Sequence, residues 1–231
     1  ISEVDGERGR LLYRGYPVGD LVGRASFEAV AQLVLSGELP DPRRLAEWRA
    51  ELERWREPPA AAFDALLRLP ADAHPLAKYR TMLTVAACHI PEPENNELDA
   101  QWRRPARILS WSAALAAAAI RHLRAEAPLP PQPELGYAAN FLWQATGRVP
   151  EADAAAAFEA SLVVQAEHGL HAAALAALVV ISSGADLGSA VLAGIGALSG
   201  ARHGGANQLA FEMLTRLDGS EAARRWAREA L

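Results

Sequence analysis

The stretch "SLVVQAEHGLHAAALAALVVISS", residues 161–183, decides how the chain is read. Its apolar residues recur without the alternation of a half-buried strand, and they leave no polar face when wound on a helix. A helix apolar all round is covered on every side, either in a large core or at a subunit interface. "DLGSAVLAGIGALSG", residues 186–200, has the same character. Its Gly188, Ser189, Ala193, Gly194 and Gly196 allow a second helix to approach closely. Burial within one chain and burial between two chains fit this pattern equally well.

Working outward, helical periodicity continues in both directions. Ser26 reads as an N-cap, followed by Glu28 and an apolar stripe of Phe27, Val30, Ala31, Val34 and Leu35, closed by Gly37. Further helices are predicted over roughly 43–56, 60–69, 75–88, 105–125, 134–146, 151–167, 171–183, 186–199, 204–217 and 220–230. "HIPEPENNELDAQWRRP" and "APLPPQPE" read as loops. Residues 1–25 lack helical periodicity and read as turns with a short hairpin around Gly6 and Gly9. The class is all-α, with residues 1–25 as a turn and short-strand segment and residues 26–231 as one helical domain.

Composition narrows the function. A chain of 231 residues with 51% hydrophobic content can bury a sizeable core. A net charge of −5 gives no support for binding nucleic acid or an anionic membrane. No apolar run is long enough to span a bilayer, and no signal peptide is visible at Ile1. Cys88 is the single cysteine, so no internal disulfide can form, which fits a reducing, cytoplasmic setting.

Chemistry rests on six histidines. His74 precedes a proline at a helix start, His89 ends an apolar helix, and His122 lies among charges as a solvated helix position. His168 and His171 are three apart and share a face if helical. Gly169 between them can instead make a pocket-lining bend. The pair lacks the spacing of a zinc hydrolase and a third clustered ligand, so no metal is expected. His203 stands in "SGARHGGANQLAFEML", residues 199–214, at the start of a helix. There the free N–H groups favour a neutral imidazole, able to donate one hydrogen bond to a developing enolate oxygen. Gly204 and Gly205 would let a ligand reach the backbone, and Asn207 could orient a ring nitrogen or a ligand group.

Several of these motifs together resemble the bacterial citrate synthase and 2-methylcitrate synthase family. "DGERGRLLYRGY" and "FEAVAQLVLSGELP" resemble its N-terminal run, "HPLAKYRT" its HPM…LRT helix start, and "YAANFLWQATGRVP" its A..FL…TG..P segment. "GADLGSAVLAGIGALSGARHGGAN" resembles the approach to its HGGAN motif. The resemblance runs through the whole chain in order. It implies the family's multi-helix large domain, a homodimer built through apolar helices near 171–199, and condensation of acetyl-CoA with oxaloacetate or a related 2-oxo acid. Acetyl-CoA is a substrate there and no further cofactor is implied. By the resemblance His203 is catalytic, bonding the thioester oxygen as the acetyl group enolises. His168, His171 and Asn207 fall in the substrate-binding region.

The chain also departs from the family pattern. DHE.NAS reads here "EHGLHAA": Glu167 stands for Asp, Gly169 for Glu, His171 for Asn and Ala173 for Ser. The family's small domain, which carries a second substrate histidine, the carboxylate base and substrate-clamping arginines, is expected beyond Leu231. Removing a proton from an acetyl methyl needs a positioned base. Asp218, Glu221 and Glu229 carry no mark of that role. Condensation is therefore expected to need residues outside this chain; the alternative is a catalytically inactive paralogue serving as a binding or partner subunit.

Overall fold

The computed structural model describes residues 1–90 and 100–230. The chain begins with a three-stranded antiparallel sheet: β1 (Ser2–Asp5), β2 (Arg10–Tyr13) and β3 (Tyr16–Pro17). β1 and β2 form the expected hairpin, with Ser2 opposite Tyr13 and Asp5 opposite Arg10. Gly9 turns it at φ +62°. β3 and the single-turn helix α1 (Val18–Leu21) were not anticipated. Both are too short for any periodicity to register.

Eleven longer helices follow among the described residues: α2 (Phe27–Ser36), α3 (Pro42–Arg54), α4 (Ala60–Leu66), α5 (Pro75–Ala87), α6 (Ala100–Leu123), α7 (Tyr137–Thr146), α8 (Ala152–Val164), α9 (Ala172–Ser182), α10 (Leu187–Leu198), α11 (Gly204–Thr215) and α12 (Gly219–Ala230). Their starts are chemically marked. Ser26 Oγ accepts from Ala29 N at 3.3 Å, and Asp41 accepts from Arg44 N at 2.8 Å with Pro42 at the first helical position. Asp186 accepts from both Ser189 N and Ser189 Oγ, which hold its carboxyl below the usual carboxylate range. Gly37, at φ +96°, closes α2 in a left-handed conformation that glycine adopts without strain.

Three expectations are corrected. The helix expected to open at residue 105 runs from Ala100 straight through Pro105. Pro105 lies only in the second turn, so it forfeits one backbone bond near a helix end, where the disruption is smallest. Residues 91–99 of that expected loop lie outside the described residues. His122 is half-buried, and its Nδ1 is enclosed without a hydrogen-bond partner among the described residues, so it is not a solvated position. α7 starts at Tyr137, because Leu135 N bonds back to the Gln132 carbonyl in a turn and Gly136 takes the N-cap position.

The core has two centres joined by α6. One gathers Tyr13, Phe27, Val30, Leu33, Trp48, Leu52 and Val163, with Ala106 from α6. The other gathers Leu66, Met82, Leu83 and Ala86 against Trp111, Leu115, Ala118 and Ala119 of α6. Ala118 and Ala119 of α6 are buried in this second centre beside Met82, Leu83 and Ala86 of α5. Lys78, the only lysine, is fully buried on α5, and its Nζ donates to the Ala71 carbonyl at 2.6 Å.

α10 packs on α5 and on α9. A Cβ at Gly188 would stand 2.9 Å from the Ala87 Cβ, and one at Gly194 would stand 3.2 Å from the Ala173 carbonyl oxygen. These glycines are therefore close-approach positions, as their spacing implied. α9 has no buried residue, and Leu175, Leu178, Val179 and Ile181 are exposed along it. Its apolar character is thus not consumed by the fold of this chain. Among the described residues no helix is long and apolar enough to cross a membrane.

Candidate functional site

The segment joining α8 to α9 is tied to the N-terminal sheet by its polar atoms. The Tyr13 side chain is fully buried, and its hydroxyl donates to the Val164 carbonyl at 2.7 Å. The same oxygen accepts from Glu167 N at 3.4 Å, and burial pushes the phenol above its ordinary range. Glu167 Oε1 accepts from Ser2 Oγ at 3.0 Å and from Gly169 N at 2.5 Å. Gly169 sits at φ +73°, with the Ser2 and Val4 side chains nearby, so a β-carbon there would be strained.

That turn breaks the helix between the two histidines. α8 ends at Val164 and α9 begins at Ala172, so His168 and His171 do not share a helical face. Gly169 makes a bend, the other course open to it. His171 becomes the N-cap of α9: its backbone N donates to the Gly169 carbonyl at 3.1 Å, and its Nδ1 accepts from Ala174 N at 3.5 Å. Histidine is not a common cap, and the sequence carried no signal for this role. His168 is exposed beside the bend.

His203 stands immediately before α11, the helix-start position expected of it. Its backbone N donates to the Gly200 carbonyl at 3.0 Å. The side chain is half-buried, and its Nε2 is enclosed without a hydrogen-bond partner among the described residues. Its ring meets the His171 ring edge-on, with centroids 5.1 Å apart and planes 61° apart. The fold thus brings His171 and His203 together although they lie far apart in sequence. The expectation for Gly204 needs correction: a Cβ there would collide with the carbonyl of Leu198, so its bareness serves the chain's own turn. Gly205 has ordinary room. Asn207 lies on α11, but its side chain is outside the described residues.

The remaining histidines stay structural. His74 caps α5, its Nδ1 accepting from Leu76 N at 3.2 Å, and His89 is exposed just past the end of that helix. A cavity of about 430 Å³ opens elsewhere, between α2, α3, α6 and α7. Glu28 is buried on its wall, accepting from Tyr137 N at 3.4 Å and lying 3.8 Å from Arg49 Nε. Glu159, also on that wall, accepts from Phe27 N at 3.2 Å. Both carboxylates sit at helix starts, where the backbone N–H groups need acceptors. Nothing in the sequence around Glu28 beyond its place after the Ser26 cap signals this wall.

The family model described as citrate synthase, C-terminal domain, matches residues 1–231. A 2-methylcitrate synthase of Mycobacterium tuberculosis is 37% identical over 231 residues, covering 100% of this chain and 58% of the relative. A citrate synthase of Mycolicibacterium smegmatis is 38% identical over 227 residues, covering 98% of this chain and 60% of the relative. The solved citrate synthase of Thermoplasma acidophilum, a ternary complex with carboxymethyl coenzyme A and oxaloacetate, superposes with a TM-score of 0.89 at 26% identity. That match covers 99% of this chain and 60% of the solved one. The citrate synthase of Pyrobaculum aerophilum gives 0.85 at 32% identity, covering 91% of this chain and 54% of the solved one. The chain therefore spans about three-fifths of the length of the curated relatives described.

Proposed function

This chain belongs to the citrate synthase family, and on that premise we propose that it forms the helical large domain of an enzyme condensing acetyl-CoA with oxaloacetate or a related 2-oxo acid. Residues 1–25 serve as its N-terminal strand segment, and the partner carboxylate base comes from residues outside this chain. The protein works as a cytoplasmic homodimer joined through α9 and α10, and acetyl-CoA is its substrate with no separate cofactor.

The observation that carries this reading is the half-buried His203, whose enclosed Nε2 has no hydrogen-bond partner among the described residues. A buried, unspent ring nitrogen at a helix start is poised for an atom the ligand supplies. In the proposed reaction the base removes a proton from the acetyl methyl group, and negative charge moves to the thioester oxygen. His203 donates a hydrogen bond to that oxygen. The enolate carbon then attacks the 2-oxo carbonyl carbon; the carbon–carbon bond forms as the carbonyl π bond opens to an alkoxide, which takes up a proton, and water cleaves the thioester to release CoA. His168 and Asn207 hold the 2-oxo acid, while His171 borders the site through its ring contact with His203.

The test is turnover by the full-length gene product with acetyl-CoA, a panel of 2-oxo acids and a thiol reagent that reports free CoA. CoA release dependent on a 2-oxo acid is expected. His203→Ala should lower that rate by about 10²–10³-fold, the usual effect of removing one charge-stabilising donor, with the helical circular dichroism unchanged. No release from the folded wild type would leave the chain a binding or partner subunit. Turnover retained in His203→Ala would remove the role given to this ring.

A further inference from the structure

We propose that His171 is a positioning residue for His203: a hydrogen-bonded mount on the α8–α9 turn holds its imidazole edge-on against the His203 ring and fixes the direction of that ring's donor. The inference rests on the condensing reading above for its catalytic consequence, though not for its geometry.

The need for a positioner comes from His203 itself. Its backbone is held by the bond to Gly200 and by the tight passage of Gly204 past Leu198. Its side chain is held by much less. Among the described residues no hydrogen bond orients the ring, and Nε2 is enclosed and unpaired. The χ2 torsion of histidine is broad, so packing must choose the ring plane. A hydrogen bond weakens steeply once donor and acceptor are misaligned, so a freely turning ring would be a poor donor to a developing charge. The 5.1 Å edge-on contact with His171 supplies the missing constraint. Edge-to-face pairs are attractive because the positive ring edge meets the negative face.

His171 is unusually well anchored for an exposed residue. Its Nδ1 accepts from Ala174 N, its backbone N donates to the Gly169 carbonyl, and its carbonyl accepts from Leu175 N at 2.8 Å. The Nδ1 contact ties the ring to the first turn of α9 and limits how it can turn. Gly169 keeps its left-handed φ under the hold of Glu167, and Glu167 is itself held by Ser2 of β1. Ser2, Glu167, Gly169, His171 and His203 thus form one connected series from the N-terminal sheet to the start of α11. Glu167, Gly169 and His171 act together in it, so these three residues make up one turn and not three separate alterations of a pocket.

Two variants of the full-length protein separate the ring contact from the cap. Asn at position 171 keeps an N-cap and removes the ring. Phe keeps a ring edge and removes the cap. The readouts are the His203 resonances in histidine-selectively labelled protein, assigned with His203→Ala, together with kcat and the KM for the 2-oxo acid. His171→Asn is expected to move the His203 resonances and to lower kcat several-fold to about tenfold, the scale of one aromatic pair, with KM unchanged within about twofold. His171→Phe is expected to keep both closer to wild type, while melting earlier through loss of the cap. His203 resonances unmoved in His171→Asn would overturn the proposal, and so would a rise in KM alone, which would make His171 a ligand of the 2-oxo acid. If the full-length protein proves inactive, the condensing reading fails on kinetics, while nuclear relaxation of the His203 ring, faster-moving in His171→Asn and not in His171→Phe, still decides whether His171 restrains it.

Discussion

The Tyr13 hydroxyl donates to the Val164 carbonyl at 2.7 Å, joining the last strand residue of β2 to the end of α8 across 151 positions of chain. This bond sets the height at which the α8–α9 turn leaves the core, and the turn carries both His168 and His171. Tyr13→Phe keeps the ring in place and strips the hydroxyl. It should lower unfolding stability by about 1–2 kcal/mol, since a carbonyl and an N–H lose their partner in a half-shielded place. Chemical denaturation with an unchanged slope would measure it. A change under about 0.5 kcal/mol would mean that water replaces the hydroxyl at no cost.

Alkaline sensitivity follows from the buried phenols. Tyr13, Tyr79 and Tyr137 are all pushed above their ordinary range, in each case mainly by burial; the bond to Ser112 pulls Tyr79 partly back. A phenol whose folded value is raised favours the neutral form in the fold. Its contribution is intact below the unfolded value of about 10 and declines as pH rises from there toward the folded value. Unfolding free energy measured from pH 7 to 11 should therefore be level up to about pH 9.5 and then fall. Tyr137→Phe should flatten that fall, at the cost of the bond its hydroxyl gives to the Leu109 carbonyl at 2.8 Å. An alkaline limb unaltered by the substitution would assign the loss to other groups.

Two glycines on α10 should respond with opposite sign to the same change. Alanine at Gly196 meets only the far end of Arg80 at 3.8 Å, so helix propensity decides and stability should rise by about 0.5–1 kcal/mol. At Gly188 the new methyl would stand 2.9 Å from the Ala87 Cβ, an atom fixed to the backbone of α5. Overpacking of that kind costs about 1–3 kcal/mol and should outweigh the propensity gain. Thermal melts of the two variants side by side decide it. A stabilised Gly188→Ala would show that α10 can move off α5 freely.

Much of this architecture was legible because helices announce their ends. Ser26, Asp41, Pro42, Gly37 and Asp186 are each found in the capping or turn role that their type predicts. The position of His203 was legible because it lies between two segments of apolar helical periodicity. What stayed hidden depends on contacts between distant residues. Nothing local links Ser2 to Glu167 or His171 to His203, because those pairs exist only once the sheet and α10 are in place. The role of His171 as a cap was hidden because cap preferences rank histidine low. Pro105 misled because a proline is an equally good sign of a helix start and of an early interruption.

Subunit association is the remaining consequence of the stretch that decided the fold. α9 leans on α10 along one side, through Ala173 and Ala177 against Gly194. Its other side leaves Leu178 52% and Val179 60% exposed, with Leu175 at 48%. A contiguous apolar face of this kind on one helix marks an interaction surface. We expect two copies to cover it mutually, which closes the assembly at a dimer because the same face serves both partners. Sedimentation of the full-length protein at micromolar concentration should give twice the chain mass. Leu178→Glu should return it to one, since a carboxylate placed in an apolar contact stays unpaired. The variant should keep its helical signal, because no buried residue of the chain's own core is altered. A wild type that sediments at a single chain mass would assign the cover of α9 to a different partner, and a Leu178→Glu variant that remains dimeric would move the interface off this helix.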